Sequence, residues 1–570
     1  MSDFNWSLPE PLAGAVAGRL ASWRMQGGTR RLWSRDASLW TNGDEARWLG
    51  WLDIIAAEQA ALPQLRQLAD EIAGEGFQHV VVIGMGGSSL CPDVLARVFG
   101  PQPGRPALLV MDSTDPSQIG TLARTVNLKK TLFVVSSKSG STLEPSILRD
   151  HFLAQVRAAS GAKRAGRQFI AITDPGSQLE QQAQADGFRT ILHGVPQIGG
   201  RFSALSHFGM APAALAGLDV ATLLSRAADL ASACREEDDA RNPAVRLGVL
   251  LAEAAAQGRD KVTLVAPPAL SALGAWLEQL VAESTGKHGR MVLPLDGESL
   301  AAPERYGADR LFVYLALAGE QDAQERGVAA LERSGQPVAR LVLQDPLSLG
   351  AEFFRWEFAT AVCGAVMGLN PFDQPDVEAA KVAARAVTEE VERTGALPAQ
   401  EPFFTGDGVA LYADDANAAA ITAASTAMEL APLLQAHLER VGAGDYLALL
   451  AFLEMNEANS ELLESIRHLV RDHSTVATTT GFGPRYLHST GQAHKGGPNS
   501  GVFILLTCDE ARDLPVPGRR YSFGTVKAAQ ALGDLTVLAE RGRRLLRIHL
   551  GSDVAAGLDA LETALRQALS

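Results

Sequence analysis

The sequence predicts an α/β protein: two doubly wound parallel sheets followed by a C-terminal α/β extension. Three observations predict it. From residue 78 to about 195, short continuous apolar runs, typical of strands buried on both faces, alternate with helical patterns. A second series of the same kind begins near residue 260. In the tail, "GGPNSGVFILLTCD" before "YSFGTVKAAQALGDL" repeats the outline of "GQPVARLVLQD" before "LSLGAEFFRWEFATAV". Each pair has a proline, an apolar strand, a polar stop, a Ser-x-Gly and an Ala-rich helix, so the extension reads as a degenerate third unit.

Taken in order, residues 1–75 read as a helical segment interrupted by "RDASLWT". Residues 76–235 form the first α/β domain, with strands at "HVVVIG", "ALLVMDS", "TLFVVSS", "QFIAITD" and "TILHG". Residues 236–404 form the second, with "KVTLVAP", "MVLPLD", "RLFVYLAL" and "ARLVLQD" and a long helix from about 350 to 369. Residues 405–570 are the extension, helical from roughly 414 to 470 before its strand. In such sheets ligands lie at the carboxyl ends of the strands.

A chain of 570 residues has room for about four units of ~150 residues each. Its net charge of −14, with basic residues scattered, argues against nucleic acid or an anionic membrane as partner, so a bound phosphate calls for a local positive site. Cys91, Cys234, Cys363 and Cys508 lie far apart in apolar surroundings, which suits a reduced cytoplasm and neither a disulfide framework nor a zinc site. No signal peptide or membrane-spanning run is read.

Two strand-to-helix turns carry the first chemistry. "VVVIGMGGSSL" and "TLFVVSSKSGST" both end a buried strand in small hydroxyl residues at the start of a helix. Such residues also cluster in ordinary turns, but their recurrence points to one anion held by helix N-termini. "GMGGSSL" has no lysine after its glycines and misses the dinucleotide spacing, so a nucleotide is disfavoured. Hydroxyls, backbone N–H groups and one lysine suit a compact phosphate monoester.

Further along, "PQIGGRFSALS" places Arg201 after a glycine pair. In "LSALGAWLEQLVAESTGKHGR", Gln279 and Glu283 are four apart and share a helix face, with Glu278 on another. Gln374 and Lys381 in "NPFDQPDVEAAK" lie about two turns apart and share a face if the helix starts early. "LHSTGQAHKGGPN" holds His488 and His494 without a carboxylate at metal-ligand spacing.

The segments "RDASLWT", "GMGGSSL", "SSKSGSTLEP", "IGGRFSALS", "AESTGKHG" and "NPFDQPDVEAAK" occur in the order of the glucose-6-phosphate isomerase family. The chain resembles that family, and within it the isomerase module fused behind transaldolase in some bacteria. The resemblance implies two sugar isomerase domains and a reversible aldose–ketose isomerisation of glucose 6-phosphate and fructose 6-phosphate through a cis-enediol(ate), in glycolysis and gluconeogenesis. By it, Gly87, Ser88, Ser137, Lys138, Ser139 and Thr142 hold the phosphate, Gln279 and Gln374 bind substrate, Glu283 is the base, and Gly200 and Arg201 steady the intermediate. No cofactor or metal is implied.

Ring opening in the family uses a lysine, matched by Lys381, and a histidine. "GQPVARLVLQD" lacks that histidine, whereas "AHKGGPN" resembles its motif, so His494 is expected to take the role from within the tail. Monomer and homodimer, and association with a separate transaldolase, stay open; no room for a (β/α)8 barrel is seen before residue 78. Asp376, where the family favours a small residue, is expected to add charge near Gln374, while Ser139 keeps the hydroxyl of a frequent threonine. The alternatives are a dual phosphoglucose/phosphomannose isomerase and a non-catalytic sugar-phosphate-binding regulator.

Overall fold

The computed structural model describes residues 3–238, 240–319 and 323–570. An edge strand comes first, β1 (Asp3–Ser7), where the sequence reading had only helices; it pairs antiparallel with a strand of the second sheet. A five-residue strand is too short to show a period, and its edge place needs only one apolar face.

The first sheet holds β2 (His79–Ile83), β3 (Ala107–Met111), β4 (Thr131–Ser136), β5 (Phe169–Thr173) and β6 (Thr190–His193), all parallel, in the order β3-β2-β4-β5-β6. The second holds β7 (Lys261–Val265), β8 (Leu293–Leu295), β9 (Arg310–Leu317) and β10 (Val338–Leu343), in the order β1-β10-β9-β7-β8. The third is built wholly from the tail: the hairpin β11 (Phe404–Gly406) and β12 (Val409–Tyr412), then β13 (Tyr446–Phe452), β14 (Ala477–Phe482), β15 (Gly501–Thr507) and β16 (Arg544–His549), in the order β11-β12-β16-β15-β13-β14.

Each sheet therefore carries four successive parallel strands in one spatial order, second, first, third, fourth: β3-β2-β4-β5, β8-β7-β9-β10 and β14-β13-β15-β16. In the second and third sheets an antiparallel strand, β1 or β12, flanks the fourth. The expected helical stretch from 414 to 470 is corrected: it contains β13 between the helices Leu430–Leu438 and Glu457–Ser474. "YLALLAF" is continuously apolar, and such a run suits a buried strand as well as a helix.

β13 is buried on both faces, as its composition requires. Leu447, Leu449 and Ala451 join the tail's own core, while Tyr446, Ala448 and Leu450 pack with Met291, Leu293 and Leu295 beside the second sheet. Tyr521, Phe523 and Val526 meet Phe152 and Phe133 under the first sheet. The tail is thus wedged against both other sheets. It brings residues to a site whose main walls lie elsewhere.

Candidate active site

A cavity of about 550 Å³ opens at the carboxyl end of the first sheet, between β2 and β4, where the strand order reverses. Gly87, Ser88, Ser137, Lys138, Ser139, Thr142, Gly200, Arg201, Gln279, Glu283, Gln374 and Lys381 all line it; of the residues singled out in the sequence, His494 does not.

The loop after β2 must be glycine-rich for a steric reason. A Cβ on Gly87 would sit 2.0 Å from the Gly200 carbonyl oxygen, so the two turns touch backbone to backbone. Gly86 adopts φ +53° and leaves room for the Gln279 amide, which a Cβ there would approach to 2.6 Å. At the end of β4, the Ser136 and Ser137 hydroxyls are buried and bond no group among the described residues. Thr142 stands at the N-terminus of the helix Leu143–Ser160, whose free N–H groups and dipole favour an anion.

Lys138 does not stand alone: it pairs with Asp174, at the end of β5, and donates to the Val195 carbonyl at 2.9 Å. Burial pushes its ammonium below the ordinary lysine value, against the opposing pull of Asp174. Four cations line the cavity, Arg47, Lys138, Arg201 and Lys381, and four carboxylates match them, Asp44, Asp174, Glu283 and Asp373. The local excess of positive charge expected from the sequence is absent. Hydroxyls and N–H groups must carry a larger share of any phosphate binding.

The opposite wall is the helix Leu273–Thr285, which places Gln279 and Glu283 one turn apart on a buried face. Both carboxylate oxygens of Glu283 are engaged: Oε2 accepts from Gln279 Nε2 at 3.1 Å, and Oε1 lies 3.3 Å from Arg201 Nη1. Gln279 also donates to the His488 carbonyl at 2.8 Å.

Arg201 is only 3% exposed and uses its whole fork. Nε donates to Ser284 Oγ at 2.7 Å, Nη1 to Gln374 Oε1 at 2.9 Å, and Nη2 to the carbonyls of Pro371 at 2.6 Å and Asp373 at 3.0 Å. The arginine therefore fastens the 371–374 loop to the helix that carries Glu283. Lys287 holds the same loop through the Asn370 carbonyl at 2.9 Å and the Asp373 carboxylate at 2.6 Å. The helix Pro375–Thr394 begins directly after Gln374, so Gln374 and Lys381 do share the cavity side. Asp376 turns away from it, towards Arg541 at 2.5 Å and Gln492 at 2.8 Å, so the expected extra charge beside Gln374 is spent on the tail.

His494 is corrected. It is 1% exposed, accepts or donates through Nδ1 to the Tyr446 hydroxyl at 2.9 Å, and is ringed by Tyr446, Tyr486 and Phe503. His488, six residues earlier, lines the cavity instead, with Nε2 on Glu144 Oε1 at 2.9 Å. Gln530, from the helix Phe523–Glu540, donates to the same Glu144 oxygen at 2.7 Å and fixes its rotamer. Burial by itself would raise the Glu144 carboxyl; the adjoining His488, a backbone N–H and Lys381 together hold the group below its ordinary value. Asp174, Glu144 and Asp373 were missed because carboxylates at strand ends and in first helical turns are common as caps and solvated groups. For His488, the signal lay only in its sharing one motif with His494.

Burial, with Lys495 and Arg543 close by, pushes His494 down to about 3. The unfolded chain, with an ordinary histidine value near 6.5, binds more protons than the fold between those two pH values. The contribution of His494 to stability is thus complete above about pH 6.5 and is lost as the pH falls towards 3. His494→Phe is expected to flatten part of the fall in urea midpoint over that range while leaving kcat near the wild type. His437, similarly buried and pushed down to about 3, keeps a share of that fall.

The phosphoglucose isomerase family model matches residues 53–294. A glucose-6-phosphate isomerase of Synechococcus sp. (strain JA-2-3B'a(2-13)) is 31% identical over 422 residues, covering 62% of this chain and 77% of the relative. That of Rubrobacter xylanophilus is 32% identical over 365 residues, 55% of this chain and 83% of the relative. Among solved structures, a hypothetical protein of Thermus thermophilus superposes with a TM-score of 0.58 at 26% identity, over 68% of this chain and 99% of its own. A glucose-6-phosphate isomerase of Chlamydia trachomatis shares the fold, with a TM-score of 0.52 at 21% identity over 60% of this chain and 75% of its own. With identity above 30% extending over more than three quarters of such relatives, the chain belongs to the phosphoglucose isomerase family.

Proposed function

We propose that the cavity interconverts glucose 6-phosphate and fructose 6-phosphate, the aldose–ketose isomerisation of glycolysis and gluconeogenesis. The observation that carries this reading is the buried Glu283, held at both oxygens beside the fully engaged Arg201 and facing the hydroxyl-rich turns across one cavity. In this reading residues 76–235 bring the phosphate turns, 236–404 the base and lysine, and 405–570 the histidine.

The phosphate sits among Ser88, Ser137, Ser139, Thr142 and the N–H groups of both turns, with Lys138 as partial counter-charge. His488 and Lys381 act on the closed ring: one takes the proton of the anomeric hydroxyl as the other gives one to the ring oxygen. Glu144, on Nε2, orients the imidazole of His488 for that transfer. Glu283 then removes the proton from C2, the C1 carbonyl oxygen becomes the enediolate oxygen, and Arg201 meets its charge with a preorganised guanidinium. The same carboxylic acid returns the proton to C1 as the C2 oxygen becomes the carbonyl, its hydroxyl proton passing to the C1 oxygen, so that no proton is gained or lost overall. One group serves both transfers because C1 and C2 are neighbours on the same face of a planar cis-enediolate.

The histidine comes from the same chain as the base, which supports a site complete within one subunit. The four cysteines are free, in keeping with the cytoplasm. Purified protein assayed in both directions with coupled dehydrogenases tests the reading; a folded chain that binds the sugar phosphates without turnover would make it a regulator. His488→Asn is expected to lower kcat about 10²-fold, the lower end of what one acid/base group supplies. His494→Phe, assayed alongside, separates the two histidines: the opposite pattern would return ring opening to His494.

A further inference from the structure

A second cavity, of about 470 Å³, lies at the carboxyl ends of β13, β15 and β16. It nearly matches the catalytic cavity in volume, and it occupies the equivalent place in the third sheet. There the strand order reverses between β13 and β15, and the last residues of those strands, Phe452 and Thr507, border the opening. Position alone would be shared by any doubly wound sheet. The side chains decide what it can hold.

Arg547, on β16, lines this cavity and is 8% exposed. Its Nε has no hydrogen-bond partner, and its guanidinium joins no ion pair among the described residues; it lies 3.8 Å from the centroid of the Tyr412 ring. A cation taken out of water without a counter-charge opposes folding, and the fold keeps this one facing open space. Each neighbouring carboxylate is held by a partner other than Arg547. Lys527 pairs with Asp115 at 2.7 Å and with Glu510 at 2.5 Å, Asp513 accepts from the Gly524 N–H at 2.8 Å, and Asp509 lies 3.3 Å from His549 Nε2. None of these carboxylates pairs with Arg547, so an anion that reaches it displaces no ion pair.

The remaining lining favours hydroxyl groups. Thr507 Oγ1 and His549 Nδ1, 3.1 Å apart, form a donor–acceptor pair, and Asp509 adds acceptor capacity. Leu397, Pro398 and Leu532 add apolar lining of the kind that the C–H face of a sugar covers. We propose that this cavity binds a second molecule of sugar-phosphate class, its phosphate on Arg547 and its hydroxyls towards Thr507, His549 and Asp509. The site is independent of the isomerase reading, because no residue of the catalytic cavity lines it.

Equilibrium dialysis of the full chain against radiolabelled glucose 6-phosphate, allowed to reach its equilibrium mixture, reads the stoichiometry. Two molecules per chain are expected for the wild type and one for Arg547→Gln, whose isomerase activity reports an intact fold. A stoichiometry that Arg547→Gln leaves unchanged, whether one or two molecules, overturns the proposal. Cys508 gives a reading that needs no substitution: it lines the cavity, whereas Cys91, Cys234 and Cys363 are buried. Saturating sugar phosphate is expected to slow its alkylation by iodoacetamide at least several-fold. An unchanged rate, or equal protection by gluconate or by inorganic phosphate at the same concentration, overturns the proposed ligand class.

Discussion

Glu283→Gln is expected to lower kcat by about 10²–10⁴-fold in both directions, the range that a positioned acid/base group contributes. The amide cannot take a proton from carbon. Its size and its contacts with Gln279 and Arg201 are otherwise nearly preserved, so the cavity keeps its shape. Substrate affinity should change little, because the phosphate turns lie across the cavity and share no hydrogen bond with Glu283. Exchange of the C2 hydrogen with solvent should fall in step with kcat. If exchange persists at the wild-type rate while net conversion falls, the proton is taken by another group and the assignment fails.

Arg201→Lys is expected to lower kcat/KM by about 10²–10³-fold, comparable to removing a preorganised donor from an oxyanion site. The positive charge survives, so the loss measures geometry. One ammonium cannot reach Ser284, Gln374 and the carbonyls of Pro371 and Asp373 together while standing beside Glu283. At least one buried carbonyl loses its donor, which should lower stability by about 1–3 kcal/mol, read as a shift in the urea midpoint. Lys287 still holds the loop at Asn370 and Asp373, so the fold should persist. Activity within a few-fold of the wild type would show that charge alone suffices at this position.

The parallel strands were legible because burial on both faces leaves an unambiguous record: Val80, Val81, Val82 and Ile83 run without a polar break into a glycine turn. The cavity walls were legible because backbone approach at Gly87 and a shared helix face at Gln279 and Glu283 each impose a local pattern. The tail was harder to read. "YLALLAF" and the Thr-rich "ATTTGF" of β14 lie between helices, and nothing local says which of them forms a sheet. His488 and His494 sit in one stretch of small residues, and their separation into cavity and core depends on Tyr446 and Phe503, which only the folded third sheet brings to His494. The partners of His488 are likewise remote: Glu144 and Gln530 lie hundreds of residues apart in the chain, and no pattern within either segment foretells their meeting.

The edge strand β1 has a consequence for synthesis on the ribosome. Asp3 pairs with Val342, so β1 emerges with its hydrogen-bonding edge unmatched and must wait for roughly 340 residues of further chain, about 15–70 s at ordinary elongation rates. The second sheet therefore cannot acquire its outer strand in the order of translation. For that interval the nascent chain presents an open strand, the surface most prone to stray pairing, with Trp6 and Phe4 on it. Until β10 is made, chaperones that shelter emerging chains have this edge to cover.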